Sequence, residues 1–178
     1  MMVDMLKEGF NTVGGNGPLI LMFSNIALMY KKPHFQFYYV AFCLINLLLN
    51  TVLKQLIQQP RPSIDEKTFL AVLKKNERFI RRDGHPYDIF GMPSGHTQSV
   101  IYSTLFNFLV FRNTRMTIPF LLLSLLTMVQ RVVYNHHTVL QVIAGGCVGT
   151  ILAFIAYYFA KRKVAGIFTS KKDDGFLL

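Results

Sequence analysis

The sequence predicts an all-α fold, a polytopic membrane helical bundle of about five transmembrane helices. Three observations lead there. Apolar residues make up 52% of the 178 residues and charged residues only 16%, where a soluble domain carries about 25% charged residues. Phe is abundant, at 16, and Trp is absent. The basic residues, which give a net charge of +10, stand between long apolar runs instead of covering a polar surface. That placement fits anionic lipid headgroups and an anionic ligand, and it argues against nucleic acid as a partner.

Residues 1–17 read as an N-terminal tail or a short amphipathic segment, and Gly14-Gly15-Asn16-Gly17-Pro18 is expected to break any helix. A membrane domain then runs over 18–160. Crossing the hydrocarbon takes about 20 apolar helical residues, and five segments approach this: Pro18–Tyr30, Phe35–Ile57, Ser94–Phe111, Met116–Val133 and Thr138–Ala160. The third carries Thr97, Gln98, Ser99 and Asn107, so it is expected inside the bundle and not against lipid. A polar loop, 58–92, separates the second and third segments. Asp65–Lys75 is expected to form a short helix there, and Asp83-Gly84-His85-Pro86 a turn. A basic tail is expected over 161–178, solvent-facing from Lys171 to Leu178. Cys43 and Cys147 both lie in apolar sequence and read as small core residues, not as a disulfide or metal site.

Five spans put the ends of the second and fourth, and the starts of the third and fifth, on one membrane face. Lys54, Arg61, Ser94, His96, Arg131 and His137 all fall there. The opposite face collects Lys31, Lys32, Arg112, Arg115, Lys161, Arg162 and Lys163, which the positive-inside rule makes cytoplasmic. The first face is then lumenal or external.

Three stretches on that face put cations, a helix start and histidines beside apolar sequence, which is costly unless something anionic binds. In the first, Lys54 offers a point charge and Arg61 a planar fork suited to phosphate oxygens. In the second, Pro93-Ser94-Gly95-His96 opens a helix. Ser94 is a good N-cap, Gly95 allows close approach, and unpaired N–H groups at a helix start favour an anion. The imidazole of His96 adds a group able to move a proton. In the third, Arg131 precedes His137 by six residues, and Gln141 follows one helical turn later. Gln141 is placed to bind one ring nitrogen of His137 and leave the other to attack phosphorus. His136 is followed at the same spacing by Leu140, which can orient nothing.

Taken in order, Lys54-x6-Arg61-Pro62, Pro93-Ser94-Gly95-His96 and Arg131-x5-His137 resemble the three-part signature of the type 2 phosphatidic acid phosphatase superfamily. The resemblance implies that family's helical core and a metal-independent phosphatase with no cofactor. It implies a phosphohistidine on His137, His96 as acid and then base, and phosphoryl oxygens held by Lys54, Arg61, Ser94, Gly95 and Arg131. Two positions depart from the general pattern: Gln130 stands where a serine is usual, and Gln141 where an acid is usual. With Ile57-Gln-Gln-Pro-Arg-Pro62, Tyr87-Asp-Ile-Phe-Gly-Met-Pro-Ser94 and Tyr134-Asn-His-His-Thr-Val-Leu-Gln-Val142, the chain is most similar to the dolichyldiphosphatase branch. That branch implies hydrolysis of dolichyl diphosphate at the lumenal face of the endoplasmic reticulum, or of its bacterial counterpart at the cytoplasmic membrane. Phosphatidate or another lipid phosphate is the alternative substrate. A non-catalytic headgroup-binding membrane protein is the alternative from outside enzymes.

Overall fold

The structure, a computed structural model, describes residues 2–82 and 84–168. Six helices and one hairpin follow in chain order: α1 (Met2–Leu28), α2 (Pro33–Ile57), α3 (Glu66–Lys74), β1 (Phe79–Arg82), β2 (His85–Asp88), α4 (Gly95–Phe111), α5 (Thr114–Val133) and α6 (Val139–Phe168). Among the described residues, three helices are long and apolar enough to cross a bilayer: Pro33–Ile57, Thr114–Val133 and Val139–Arg162. Five were expected. The helix α4 falls short because its 17 residues rise only about 26 Å and many of them are polar. Its Thr97, Gln98, Ser103, Thr104 and Asn107 are all buried, which places it at the centre of the bundle, packed most extensively against α6 and α5.

The outer surface of the bundle is apolar. On α2 the buried residues are Tyr39, Asn46, Asn50 and Lys54, while Leu44, Leu47, Leu48 and Leu56 are exposed, the last at 75%. A helix with its polar stripe inside and its leucines outside is built for lipid, not water. The inward stripe is satisfied by hydrogen bonds between helices. The Gln98 amide donates to the Asn46 side chain at 2.8 Å, Asn50 Nδ2 donates to Gln98 Oε1 at 2.8 Å, and Asn107 Nδ2 donates to Asn25 Oδ1 at 2.8 Å. Beneath them Tyr39 and Tyr102 stack with centroids 5.4 Å apart, within a core that includes Met29, Phe106 and Leu152.

The helix break expected at Gly14–Pro18 is absent: α1 runs through it, with Pro18 inside the helix. The reason is a close helix crossing. A Cβ on Gly14 would meet the Gln130 side chain, and one on Gly17 would meet Thr127 Oγ1, both on α5. The glycines let α1 and α5 approach closely, and that packing outweighs their weak helix propensity.

Helix ends follow local chemistry. Asp65 Oδ1 accepts from Thr68 N at 2.9 Å, which starts α3 within the expected Asp65–Lys75 segment. Asn113 Oδ1 accepts from Met116 N at 3.2 Å at the start of α5. The expected short helix is therefore present, but the loop also holds a hairpin that an all-α reading leaves out. Strands β1 and β2 pair antiparallel with Phe79 opposite Asp88 and Arg82 opposite His85. Gly84, at φ 81°, supplies the left-handed backbone that a tight hairpin needs; Asp83 lies outside the described residues, as does the expected solvent-facing tail from Lys171 onward. The hairpin and α3 share a small core of Phe69, Val72, Ile89 and Phe90.

Candidate active site

The segment after α2 pairs with the segment before α4. Arg61 N donates to Ile89 O at 3.1 Å and Gly91 N to Gln59 O at 2.7 Å. Ser94 N in turn donates to Gln141 O at 3.0 Å, so the three stretches are tied by backbone hydrogen bonds at one end of the bundle. The expected convergence is present. At the opposite end Lys32 lies over the Phe111 ring and Arg112 over the Tyr157 ring, with ammonium or guanidinium to centroid distances of 5.3 and 5.9 Å.

A cavity of about 390 Å³ opens at the junction. Lys54, Arg61, Gly95, His96 and His137 line it, with Asn46, Asn50 and Ser99 deeper and Gly15, Pro18 and Leu19 of α1 along one side. A second space of about 230 Å³ shares Pro18, Leu19, Asn46, Leu47 and Ser99 and continues past Met22, Cys43 and Leu44 to Tyr102. The polar site thus leads into an apolar groove between α1, α2 and α4.

His137 is held on both ring nitrogens. Nδ1 is 3.2 Å from Gln141 Oε1, and Arg61 Nη1 is 3.2 Å from Nε2. The Gln141 amide can sit only one way round. Its Nε2 donates to Pro60 O at 2.9 Å and to Gln59 Oε1 at 3.0 Å, while its Oε1 accepts from Thr138 N at 3.2 Å. Reversing it would set a carbonyl against a carbonyl and an amide N–H against an N–H. Nδ1 therefore carries the proton, and Nε2 holds its lone pair toward Arg61 and the cavity. The expected contact is present, with a different cause from helical spacing. His137 precedes α6, and Thr138 with Gln141 forms a capping box, Gln141 N donating back to Thr138 Oγ1 at 3.3 Å. Burial first, then the Arg61 and Lys54 charges, push the His137 imidazole down to about 2, against the Gln141 hydrogen bond. Burial and the Arg131, Arg61 and Arg82 charges push His136 down to about 4. Both rings are neutral near pH 7. The His136 ring lines a different cavity with Arg82, His85 and Tyr134.

Not every expected phosphate ligand faces the cavity. Ser94 is fully buried, its Oγ accepting from Thr97 N at 3.5 Å and from Thr97 Oγ1 at 3.1 Å; it caps α4. Arg131 is buried, its Nε donating to Gln130 Oε1 at 2.5 Å and its guanidinium lying against Gly15 at the cavity wall. Gln130, the residue in the usual serine position, donates to Asn11 Oδ1 at 2.6 Å, so it links Arg131 to α1.

Several residues went unrecognised in the sequence. Asp88 Oδ2 accepts from Lys54 Nζ at 2.7 Å, and Asp88 O accepts from Arg61 Nε at 2.6 Å. Arg78 forks onto Asp88, with Nε to Oδ1 and Nη2 to Oδ2 both at 3.0 Å. Burial alone would raise the Asp88 carboxyl, but hydrogen bonds from Arg78 and Lys54 and the Lys54 charge hold it at about 2. Tyr87 sets its ring 4.8 Å from the Arg61 guanidinium and 5.1 Å from that of Arg82. The Asn46, Asn50, Lys54 stripe at four-residue spacing was the readable signal for the inner wall. Nothing local marks Asp88 or Asn11.

No curated protein and no solved structure gives a significant match to this chain. The PAP2 superfamily matches residues 35–165, a stretch that contains all three motifs and every cavity-lining residue outside α1. That superfamily includes membrane lipid phosphatases, its members are generally phosphatases, and the apolar helices agree with an integral membrane protein. A match over most of the chain, together with the clustered lysine, arginine and histidines, shows that this protein belongs to the PAP2 superfamily.

Proposed function

We propose that this protein hydrolyses a polyprenyl diphosphate of the dolichyl type to the monophosphate and inorganic phosphate, through a phosphohistidine. The observation that carries the reading is the fixed tautomer of His137: Gln141 holds Nδ1–H, and Nε2 is presented among cations. Nε2 attacks the terminal phosphorus, and the bond to the oxygen of the lipid monophosphate breaks. The negative charge of the bound phosphoryl group beside His96 favours its charged form, which gives its proton to that oxygen. Neutral His96 then takes a proton from water, whose oxygen attacks phosphorus; the P–N bond breaks and phosphate leaves. Lys54, Arg61, the N–H groups around Gly95 and, across the Gly15 wall, Arg131 offset the charge that builds on the phosphoryl oxygens.

The groove from the cations past Leu19, Met22 and Leu47 supports a substrate with an apolar tail. In this reading α1 and α4 cross alongside the three apolar helices, which makes five spans, and the basic clusters at the far end of the bundle then favour a lumenal or external site. The test is phosphate release by the purified protein in detergent with a chelator present. Dolichyl diphosphate is expected to be the best of a panel that includes phosphatidate and lysophosphatidate. Preference for phosphatidate would move the assignment to another lipid phosphate. Absence of any covalent phosphoenzyme after an alkaline denaturing quench, under which a P–N bond survives, would remove the mechanism.

A further inference from the structure

We propose that Asp88, gripped by Arg78, is a positioning residue that aims Lys54 into the cavity and does so without cancelling its charge. The inference rests on the phosphatase reading of the same cavity.

A carboxylate beside an anion site opposes the anion unless its charge is already balanced. Arg78 supplies that balance. Its fork takes both Asp88 oxygens at 3.0 Å, and Phe90 N–H adds a third hydrogen bond to Oδ1 at 3.1 Å. Arg78 and Asp88 together carry no net charge, so Lys54 and Arg61 keep theirs for the ligand. Among the described residues lining the cavity there is no acid; Asp88 stands behind the cations. Its Oδ2 takes one of the three Lys54 N–H bonds at 2.7 Å, and the other two remain for the cavity that Lys54 lines. A lysine is a flexible chain ending in a point charge. Fixing one of its hydrogen bonds removes freedom that phosphate would otherwise have to remove on binding.

The main chain of the same residue fixes the second cation, since Asp88 O accepts from Arg61 Nε at 2.6 Å. The hairpin explains how one residue reaches both. Register sets Asp88 opposite Phe79, the residue after Arg78, so closing the hairpin closes the Arg78 fork. The strands that a helical reading leaves out thus carry the support of the cationic wall.

The experiment compares purified wild type with Asp88→Asn, Asp88→Glu, Lys54→Ala and the Lys54→Ala/Asp88→Asn double variant. It reads KM and kcat for dolichyl diphosphate, and binding of orthovanadate as a phosphate mimic through the shift in thermal midpoint. Asp88→Asn is expected to raise KM and lower kcat/KM by about 10- to 100-fold, and to weaken vanadate binding by about 10-fold. Asp88→Glu is expected to restore most of this. In the Lys54→Ala background the Asn substitution is expected to cost less than about 2-fold more, because its effect runs through Lys54. Tighter vanadate binding in Asp88→Asn, or losses that multiply in the double variant, overturns the proposal. Should Asp88→Asn not yield folded protein, Arg78→Lys removes the fork alone: weaker vanadate binding supports the proposal and unchanged binding overturns it. If wild type hydrolyses none of the lipid phosphates, the phosphatase reading falls, and vanadate binding still decides the role of Asp88.

Discussion

The turn between α5 and α6 and the first turn of α4 each present a histidine to the same cavity, but they hold it differently. His137 is 2% exposed, with Gln141 on one ring nitrogen and Arg61 on the other. His96 stands at the start of α4 against the Gly15 backbone, on a wall shared with α1. The difference fits the two kinds of work proposed for these rings. A ring that attacks phosphorus needs one direction and one tautomer. A ring that gives a proton to one oxygen and takes it from another gains from less restraint.

The largest expected effect separates the two outright. His137→Ala is expected to lower phosphate release by at least about 10⁴-fold and to leave no labelled phosphoenzyme after an alkaline denaturing quench, where wild type keeps its label. His96→Ala is expected to lower it by about 10²- to 10⁴-fold while phosphoenzyme accumulates, because attack by water then lacks its base. Label on His96, or in His137→Ala, would reverse the assignment. A subtler separation uses packing. A Cβ on Gly145 would meet the Ser94 carbonyl, so Gly145→Ala is expected to shift the start of α4 and move His96 while His137 stays. About 100-fold in kcat is the scale for a misplacement near 1 Å; an unchanged kcat would show that α4 tolerates the shift.

Next comes the restraint on His137. In Gln141→Glu an acceptor oxygen faces the Pro60 carbonyl in place of the amide donor. Loss of such a buried hydrogen bond costs about 1–3 kcal/mol, so kcat is expected to fall roughly 10- to 100-fold with KM little changed. A fall in kcat no larger than about 2-fold would mean the ring needs no fixed tautomer. The smallest effect concerns stability. The folded protein holds His136 near 4 and His137 near 2, below the ordinary 6.5. Their contribution is whole above about pH 6.5 and is lost as pH falls, because the unfolded chain takes up protons that the fold refuses. The thermal midpoint is expected to drop between pH 7.5 and pH 5, and less steeply in His136→Gln. An equal slope would assign the drop to other groups.

Much of this site was legible because it depends on spacing along helices. Lys54, His96 and His137 sit at helix ends whose alternation across the bundle puts them together, and Thr138 with Gln141 is a local cap. What the sequence hid depends on contacts between distant segments. Asp88 reads as one polar residue in a polar loop until a hairpin sets it beside Arg78 and against Lys54. The glycines near Pro18 read as a break because the surface that rewards them, Gln130 and Thr127, lies on another helix. Gln130 reads as a departure from the family pattern until Asn11 and Arg131 are seen on either side of it.

The stretch that matches the superfamily begins at residue 35, yet Gly15, Pro18 and Leu19 line the cavity and Asn11 braces Gln130. One wall of the container therefore comes from a helix that lies outside the matched stretch. A different first helix would remodel the side along which the proposed substrate tail lies, and it would also take away the Asn11 brace behind Arg131 and the Gly15 backbone beside His96. In the proposed reaction, tail preference and phosphate chemistry thus meet on α1 and cannot be exchanged one without the other.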